Sequence, residues 1–256
     1  MNHKNPPKPV CIIDEDDKTI GQILTRREAI KMLGATGGAL FLSACFGNQP
    51  NPAADGTVYG PADCVVRPEL ALGPVFVEQE LARSDIREDT SNGVMSAGAL
   101  LALSIRVSTL SDNACTPLEG AQVDIWQCDV DGVYSDTSEL GFQTVGQKFL
   151  RGYQTTGADG LVKFTTIYPG WYEGRAVHIH FKIRTKDGHD FTSQLFFDDA
   201  FTDQVFAQAP YNSRGERFLR NDDDGIFEES NGQMMLNVSE TEQGYSTEFH
   251  VALDLS

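Results

Sequence analysis

Positive charge is scarce in this sequence: 20 lysines and arginines stand against 37 aspartates and glutamates, a formal net charge of -17. A nucleic-acid partner needs clustered basic side chains to neutralise phosphates, so that shortage argues against one. It also removes any electrostatic pull toward an anionic membrane surface and leaves a solvated acidic exterior. Long apolar runs are missing too. The stretch Met32 to Leu42 is shorter and more glycine-rich than the roughly 20 apolar residues a membrane span needs. No internal repeat is visible. Past residue 63 no convincing amphipathic helix can be drawn, only short candidates at Leu81 to Arg87 and Phe201 to Gln208. Cysteine is sparse, and its spacings are not the short pairs of a zinc site.

What is present falls into three parts. Thr25-Arg26-Arg27-Glu28 places a twin arginine just ahead of the apolar stretch, an arrangement that resembles a twin-arginine export signal. Leu42-Ser43-Ala44-Cys45 follows at once and resembles a bacterial lipobox, which implies cleavage before Cys45 and a lipid on its thiol. Residues 1–44 are therefore expected to be a signal segment, 45–63 a flexible lipid-anchored tether rich in Asn, Pro, Ala and Gly, and 64–256 one folded domain. The expected location is periplasmic or cell-surface, with membrane contact through the anchor alone. Charge in residues 1–44 is nearly balanced, so the acidity belongs to the domain. In an oxidising compartment Cys64, Cys115 and Cys128 should give one bridge and one buried thiol, with the pairing open.

Within the domain the apolar pattern has period two. Leu100 to Val107, Ala121 to Trp126, Leu161 to Ile167, Val177 to Arg184 and Ser193 to Phe197 are short strand-like runs separated by Gly, Asp and Pro turns. They indicate an all-β fold, a sandwich or barrel. In one of these runs His178 and His180 lie two residues apart, and strand alternation sends both imidazoles to the same face. Two neutral nitrogen donors on one rigid strand are a natural start for a metal site.

The neighbours of that pair are informative. Trp126-Gln127 leads by way of Gly132 to Tyr134, Pro169-Gly170-Trp171-Tyr172 precedes Arg175, and His178-Ile179-His180-Phe181 is followed by Gln194-Leu195-Phe196-Phe197. These linked motifs resemble the intradiol ring-cleavage dioxygenases, in particular the catalytic subunit of protocatechuate 3,4-dioxygenase, over roughly residues 64 to 200. The resemblance implies a single β-sandwich catalytic domain with long loops. It implies Fe(III) held by Tyr134, Tyr172, His178 and His180, with Tyr172 also accepting a substrate proton. Arg175 and Gln194 would steady charge developing on the substrate. The partners so implied are O2 and a small aromatic diol, cleaved between its two hydroxylated carbons to a muconate-type diacid. Donor chemistry agrees: a phenol with an ordinary pKa near 10 ionises beside a bound cation, and two tyrosinates suit ferric iron.

Cys128, Asp129 and Val130 stand where protocatechuate enzymes have Ala, Asn and Ala, so catechol, protocatechuate and hydroxyquinol types all stay open. The oligomeric state is open as well, a homodimer included. Two other readings make different demands. A non-catalytic exported β-sandwich binding module does not require the tyrosines and histidines to converge. A zinc hydrolase on His178 and His180 needs a third nitrogen or carboxylate donor. Trp126 and Trp171 are read as packing residues, His189 and His250 as bland, and Asp222-Asp223-Asp224-Gly225 as a solvated loop.

Overall fold

The period-two runs become strands of two stacked antiparallel-rich sheets. The computed structural model describes residues 64–78, 80–111 and 114–255. The twin arginine, Cys45 and the tether lie outside the described residues. One sheet has the order β10-β11-β3-β4, from Ser239–Thr241, Gly244–Asp254, Leu100–Ser111 and Ala114–Pro117, with β7 (Leu161–Ile167) also paired to β3. The other has the order β6-β5-β8-β9, from Arg151–Thr155, Gln122–Trp126, His178–Arg184 and Asp190–Phe196. A hairpin of β1 (Glu88–Asp89) and β2 (Val94–Met95) stands apart.

Alternation explains which residues meet between the sheets. Leu101, Leu103, Ile105 and Val107 of β3 are fully buried in one core with Ile179, Phe181 and Ile183 of β8 and Val123 and Ile125 of β5. Each such side chain contributes about 1.5–3 kcal/mol on leaving water. His178 and His180 have the opposite parity and point to the outer face of the four-stranded sheet, yet both are buried. Loops cover them there. The sandwich thus holds the site on its back, under a lid of irregular chain.

Two expectations change. Residues 81–87 are extended, not helical. Their backbone is drawn to both sheets, with Arg83 N donating to Tyr153 O at 3.1 Å and Ile86 N to Thr165 O at 3.0 Å. These sheet-edge bonds satisfy the peptide groups a lone helical turn would leave open. The second candidate does form a helix, α1 (Asp199–Phe206), capped by Asp198. The cysteine question also resolves: Cys64 and Cys115 are bridged and Cys128 is the buried free thiol. β11 was not anticipated. It pairs parallel to β3 in the middle of its sheet, although Tyr245, Thr247, Phe249, Val251 and Leu253 alternate in the sequence as cleanly as any run.

Candidate metal centre

The imidazoles are placed by the sheet. His180 lies opposite Trp126 on one side and Gln194 on the other, and Trp126 in turn lies opposite Arg151. Directly opposed residues share a face, so Arg151, Trp126, His180 and Gln194 form one row across four strands. Trp126 stacks on His180 with ring centroids 4.9 Å apart and planes 7° from parallel. On the other side Gly73, at φ +76, brings its backbone so close that a Cβ there would lie 3.1 Å from His180 Cε1. His178 is fixed by its own chain, its Nδ1 lying 2.7 Å from Ala176 O. That contact requires Nδ1 to carry the proton and turns the Nε2 lone pair toward the site. The two Nε2 atoms meet at 2.9 Å, a separation that needs a proton or a cation between them.

The phenols arrive on loops. Tyr134 ends a tight loop organised by Asp129, whose Oδ1 accepts from the N–H groups of Asp131 and Val133 at 2.9 Å each. Tyr172 ends the segment from Tyr168. The two loops interlock at their glycines. Gly170 N donates to Asp129 O at 3.1 Å, and a Cβ on Gly170 would lie 2.5 Å from Val130 O. Gly132, at φ +78, passes against Trp171 O with no room for a side chain. Arg214 closes the joint by donating to Trp171 O and Val130 O, its guanidinium 4.1 Å above the Trp171 ring. Tyr134 Oη thereby reaches 3.4 Å from His178 Nε2, and the Tyr134 and Tyr172 rings meet edge-on at 5.5 Å.

Each of the four donors is tuned the same way by its surroundings. Burial, then the neighbouring Tyr172, holds the Tyr134 hydroxyl well above the usual phenol range. Burial pushes Tyr172 up to about 12, against the pull of Arg175. Burial and the Arg175 charge bring His178 down to about 3, and burial with His178 holds His180 well below its usual value. Both imidazoles are therefore neutral at physiological pH, as a metal site would require, and the phenols need a strong cation to ionise. Two imidazoles and the Tyr134 hydroxyl at one buried point, with the Tyr172 ring beside them, are a donor set that fits a ferric ion. Among the described residues no group of three or more His, Cys, Asp and Glu gathers that could hold a metal, so the third donor a zinc hydrolase requires is not among them.

Arg175 and Gln194 are brought together at the rim of this point. Arg175 Nη2 donates to Gln194 Oε1 at 2.6 Å, and Gln194 Nε2 donates to Ala71 O at 2.7 Å. Their anchor is Asp224, which is 3% exposed rather than solvated. Its Oδ2 pairs with Arg175 Nε at 2.9 Å and accepts from Ala176 N at 2.7 Å, while Oδ1 caps α2 (Gly225–Glu229) through the N–H groups of Ile226 and Phe227. The helix-cap pattern Asp-Gly-Ile-Phe was a signal for burial that an acidic run obscures. Trp126 and Trp171 are packing residues as expected. His250 pairs with Glu248 at 2.8 Å, far from the site.

Comparison with known proteins gives a consistent picture. A family model described as "Dioxygenase" matches residues 71–223, more than half of the chain. An intradiol ring-cleavage dioxygenase from Tetranychus urticae superposes with a TM-score of 0.67 at 30% identity, covering 75% of this chain and 95% of that one. The dioxygenase domain of a carbohydrate-binding fusion from Streptomyces sp. SirexAA-E has a TM-score of 0.54 at 28% identity, covering 75% and 100%. A hydroxyquinol 1,2-dioxygenase from Rhizobium sp. is 28% identical over 155 residues, 60% of this chain and 45% of its own length. The chain thus spans about half the length of the curated relatives it matches.

Proposed function

The chain belongs to the intradiol ring-cleavage dioxygenases, and from that premise we propose that it is a non-haem Fe(III) enzyme acting on a catechol-type diol. With O2 it opens the ring between the two hydroxylated carbons, and both oxygen atoms enter a muconate-type diacid. The supporting observation is the meeting of two imidazole Nε2 atoms and the Tyr134 hydroxyl at one buried point, with Tyr172 beside them. Tyr134, Tyr172, His178 and His180 would hold the ion, and ferric iron there would supply Lewis acidity that readies a bound diol for reaction with O2.

The chain's own groups supply the rest. Tyr172 is the half-buried member of the four, and its Oη is the proton acceptor for an incoming substrate hydroxyl. A phenol pushed up to about 12 holds that proton firmly once it has it. Arg175, kept in place by Asp224 and Gln194, sets a fixed charge where the opening ring gains negative charge. Leu72, Val75, Phe76 and Phe142 pack around Trp126 and the tyrosines and keep water out. These walls suit an uncharged catechol or hydroxyquinol-type ring better than one bearing a carboxylate, since Arg175 is already paired. The curated relatives are named for catechol and hydroxyquinol.

Iron-loaded protein should be burgundy, with a broad visible charge-transfer band that moves in Tyr172→Phe. A colourless preparation replete with ferric iron would sink the assignment. For location, the Cys64–Cys115 bridge supports an oxidising compartment, and a lipid anchor at Cys45 after twin-arginine export completes the reading. Cys45→Ser should move the protein from the membrane to the soluble fraction of its host. Activity confined to the wild-type cytoplasmic fraction would refute export.

A further inference from the structure

One buried charge beside the site has no role in the scheme above. Arg151 is 3% exposed, and its hydrogen bonds run to neutral oxygens: Ser135 Oγ at 2.8 Å, Ser135 O, and Val75 O at 3.4 and 3.5 Å. Burial pushes its guanidinium down to about 10, so it remains a cation at neutral pH. A buried cation costs several kcal/mol unless an anion or a dense set of hydrogen bonds offsets it. Asp136, next to the serine that Arg151 grips, offsets part of that cost through its charge, as Asp224 does for the part-buried Arg175 in a direct 2.9 Å pair.

The place of Arg151 shows what it faces. It heads the row Arg151, Trp126, His180, Gln194 on the outer face of the sheet, so it points toward the same covered space as the imidazoles. Ser135, which it grips twice, is the residue after Tyr134. Val75, which it also grips, packs in one cluster with Tyr134 and Trp126 and follows the Gly73 backbone that abuts His180. Arg151 therefore ties together the two segments that enclose the Tyr134 and His180 donors. The Tyr134 hydroxyl is among the groups whose charge acts on Arg151 across that enclosure.

We propose that Arg151 is a positioning residue of the metal centre: it locks the Tyr134 and Gly73–Val75 segments together and places a fixed positive charge beside the tyrosine donor. The inference rests on the ferric reading given above. A fixed charge there stabilises the donor oxygen's electrons and makes the ion easier to reduce.

The test uses full-length protein loaded with ferric iron, read by its visible spectrum and its Fe(III)/Fe(II) reduction potential. Arg151→Gln keeps amide donors and loses the charge; its band should move to longer wavelength and its potential to more negative values. Arg151→Lys keeps the charge, and Ser135→Ala removes one neutral acceptor; both should stay near wild type in band and potential. Coincidence of the Gln variant with wild type in both readouts overturns the proposal and leaves Arg151 a purely structural residue. Where the Gln variant does not fold, Asp136→Asn decides: it removes the carboxylate whose charge acts on Arg151, and a potential that does not move to more positive values then overturns the proposal. A wild-type protein that binds ferric iron with no visible band overturns both this inference and the proposed function. A normal wild-type band with no response to Arg151→Gln overturns this inference alone.

Discussion

The two imidazoles and the two phenols of this site reach the same point by different routes. His178 and His180 come from one strand, whose alternation fixes their direction and whose neighbours on both sides fix their position. Tyr134 and Tyr172 come from two loops that have no ladder between them. Their approach depends on a glycine against a carbonyl, an aspartate folding its own loop, and an arginine pinning both. A strand holds the proposed histidine ligands as a consequence of holding the fold, whereas the loops that carry the proposed tyrosine ligands are held by contacts of their own. The histidine side should therefore tolerate damage to its surroundings better than the tyrosine side, while loss of a donor itself is fatal on either.

The largest effect follows from removing a donor. His178→Ala or His180→Ala should leave the sandwich intact, because both side chains lie on the outer face, away from the core between the sheets. Iron retention and the visible band should fall to background, as read by metal analysis alongside circular dichroism. A variant that keeps a full band would show that the strand does not carry the site.

Next comes the joint between the loops. Gly170→Ala sets a methyl group against the backbone carbonyls of Asp129 and Val130, which cannot swing aside. Overpacking of this kind costs about 1–3 kcal/mol, and loss of ligand support typically lowers metal affinity or activity about 10–100-fold. Iron titration of the purified variant measures it. An equivalent disturbance on the histidine side, Trp126→Phe, keeps a ring against His180 and should cost less. If the two losses are equal, the distinction between strand-held and loop-held ligands fails.

How much of this was legible follows from the same contrast. The histidine pair, its strand and the all-β class could be read from period-two alternation, which reports burial directly, while the choice of a sandwich over a barrel came with the resemblance. The tyrosines were found by motif resemblance, since a loop has no period to reveal which way Tyr134 or Tyr172 points. Arg214 and Asp224 were missed because each acts across more than 40 residues of chain, Arg214 on Val130 and Trp171 and Asp224 on Arg175. Nothing local distinguishes such an arginine from a surface one, or the third aspartate of an acidic run from its exposed neighbours. Residues 81–87 were misread for a related reason: short mixed sequences take whatever conformation satisfies their peptide groups, and here two sheet edges satisfy them.

A smaller effect on the site, though a larger one on stability, is expected at Asp224. Asp224→Asn leaves the Arg175 charge without its partner, and breaking a buried pair in this way destabilises by about 3–5 kcal/mol. Activity should fall about tenfold, at the lower end for a supporting group, while the ferric band persists because no donor is touched. Burial alone would raise the Asp224 carboxyl, but the Arg175 charge and the Ala176 N–H outweigh it and hold the carboxyl below its ordinary value. Stability from a depressed carboxyl is present above its unfolded pKa, near 3.9, and disappears as pH falls through the lower folded value. The gap in unfolding free energy between wild type and variant should thus be full at neutral pH and narrow on acidification below about pH 4. Urea titrations across that range measure it, and a gap that widens toward acid would contradict the ion pair.

The smallest effect on the site should come from the strongest covalent tie in the fold. Cys64 and Cys115 close a sequence separation of 51 residues, and the loop-entropy model puts the value of such a bridge at about 4 kcal/mol. The bridge joins the start of the domain to β4 at the edge of the sheet that does not carry the donors. Cys128, the thiol that does border the site, is kept protonated by burial and cannot exchange with it readily. Paired Cys64→Ser and Cys115→Ser substitutions should therefore lower the melting temperature by several degrees and leave the wavelength of the ferric band unchanged below the transition. A displaced band in the folded variant would mean that the two sheets communicate, and that the loops over the four-stranded sheet depend on more than the contacts made among themselves.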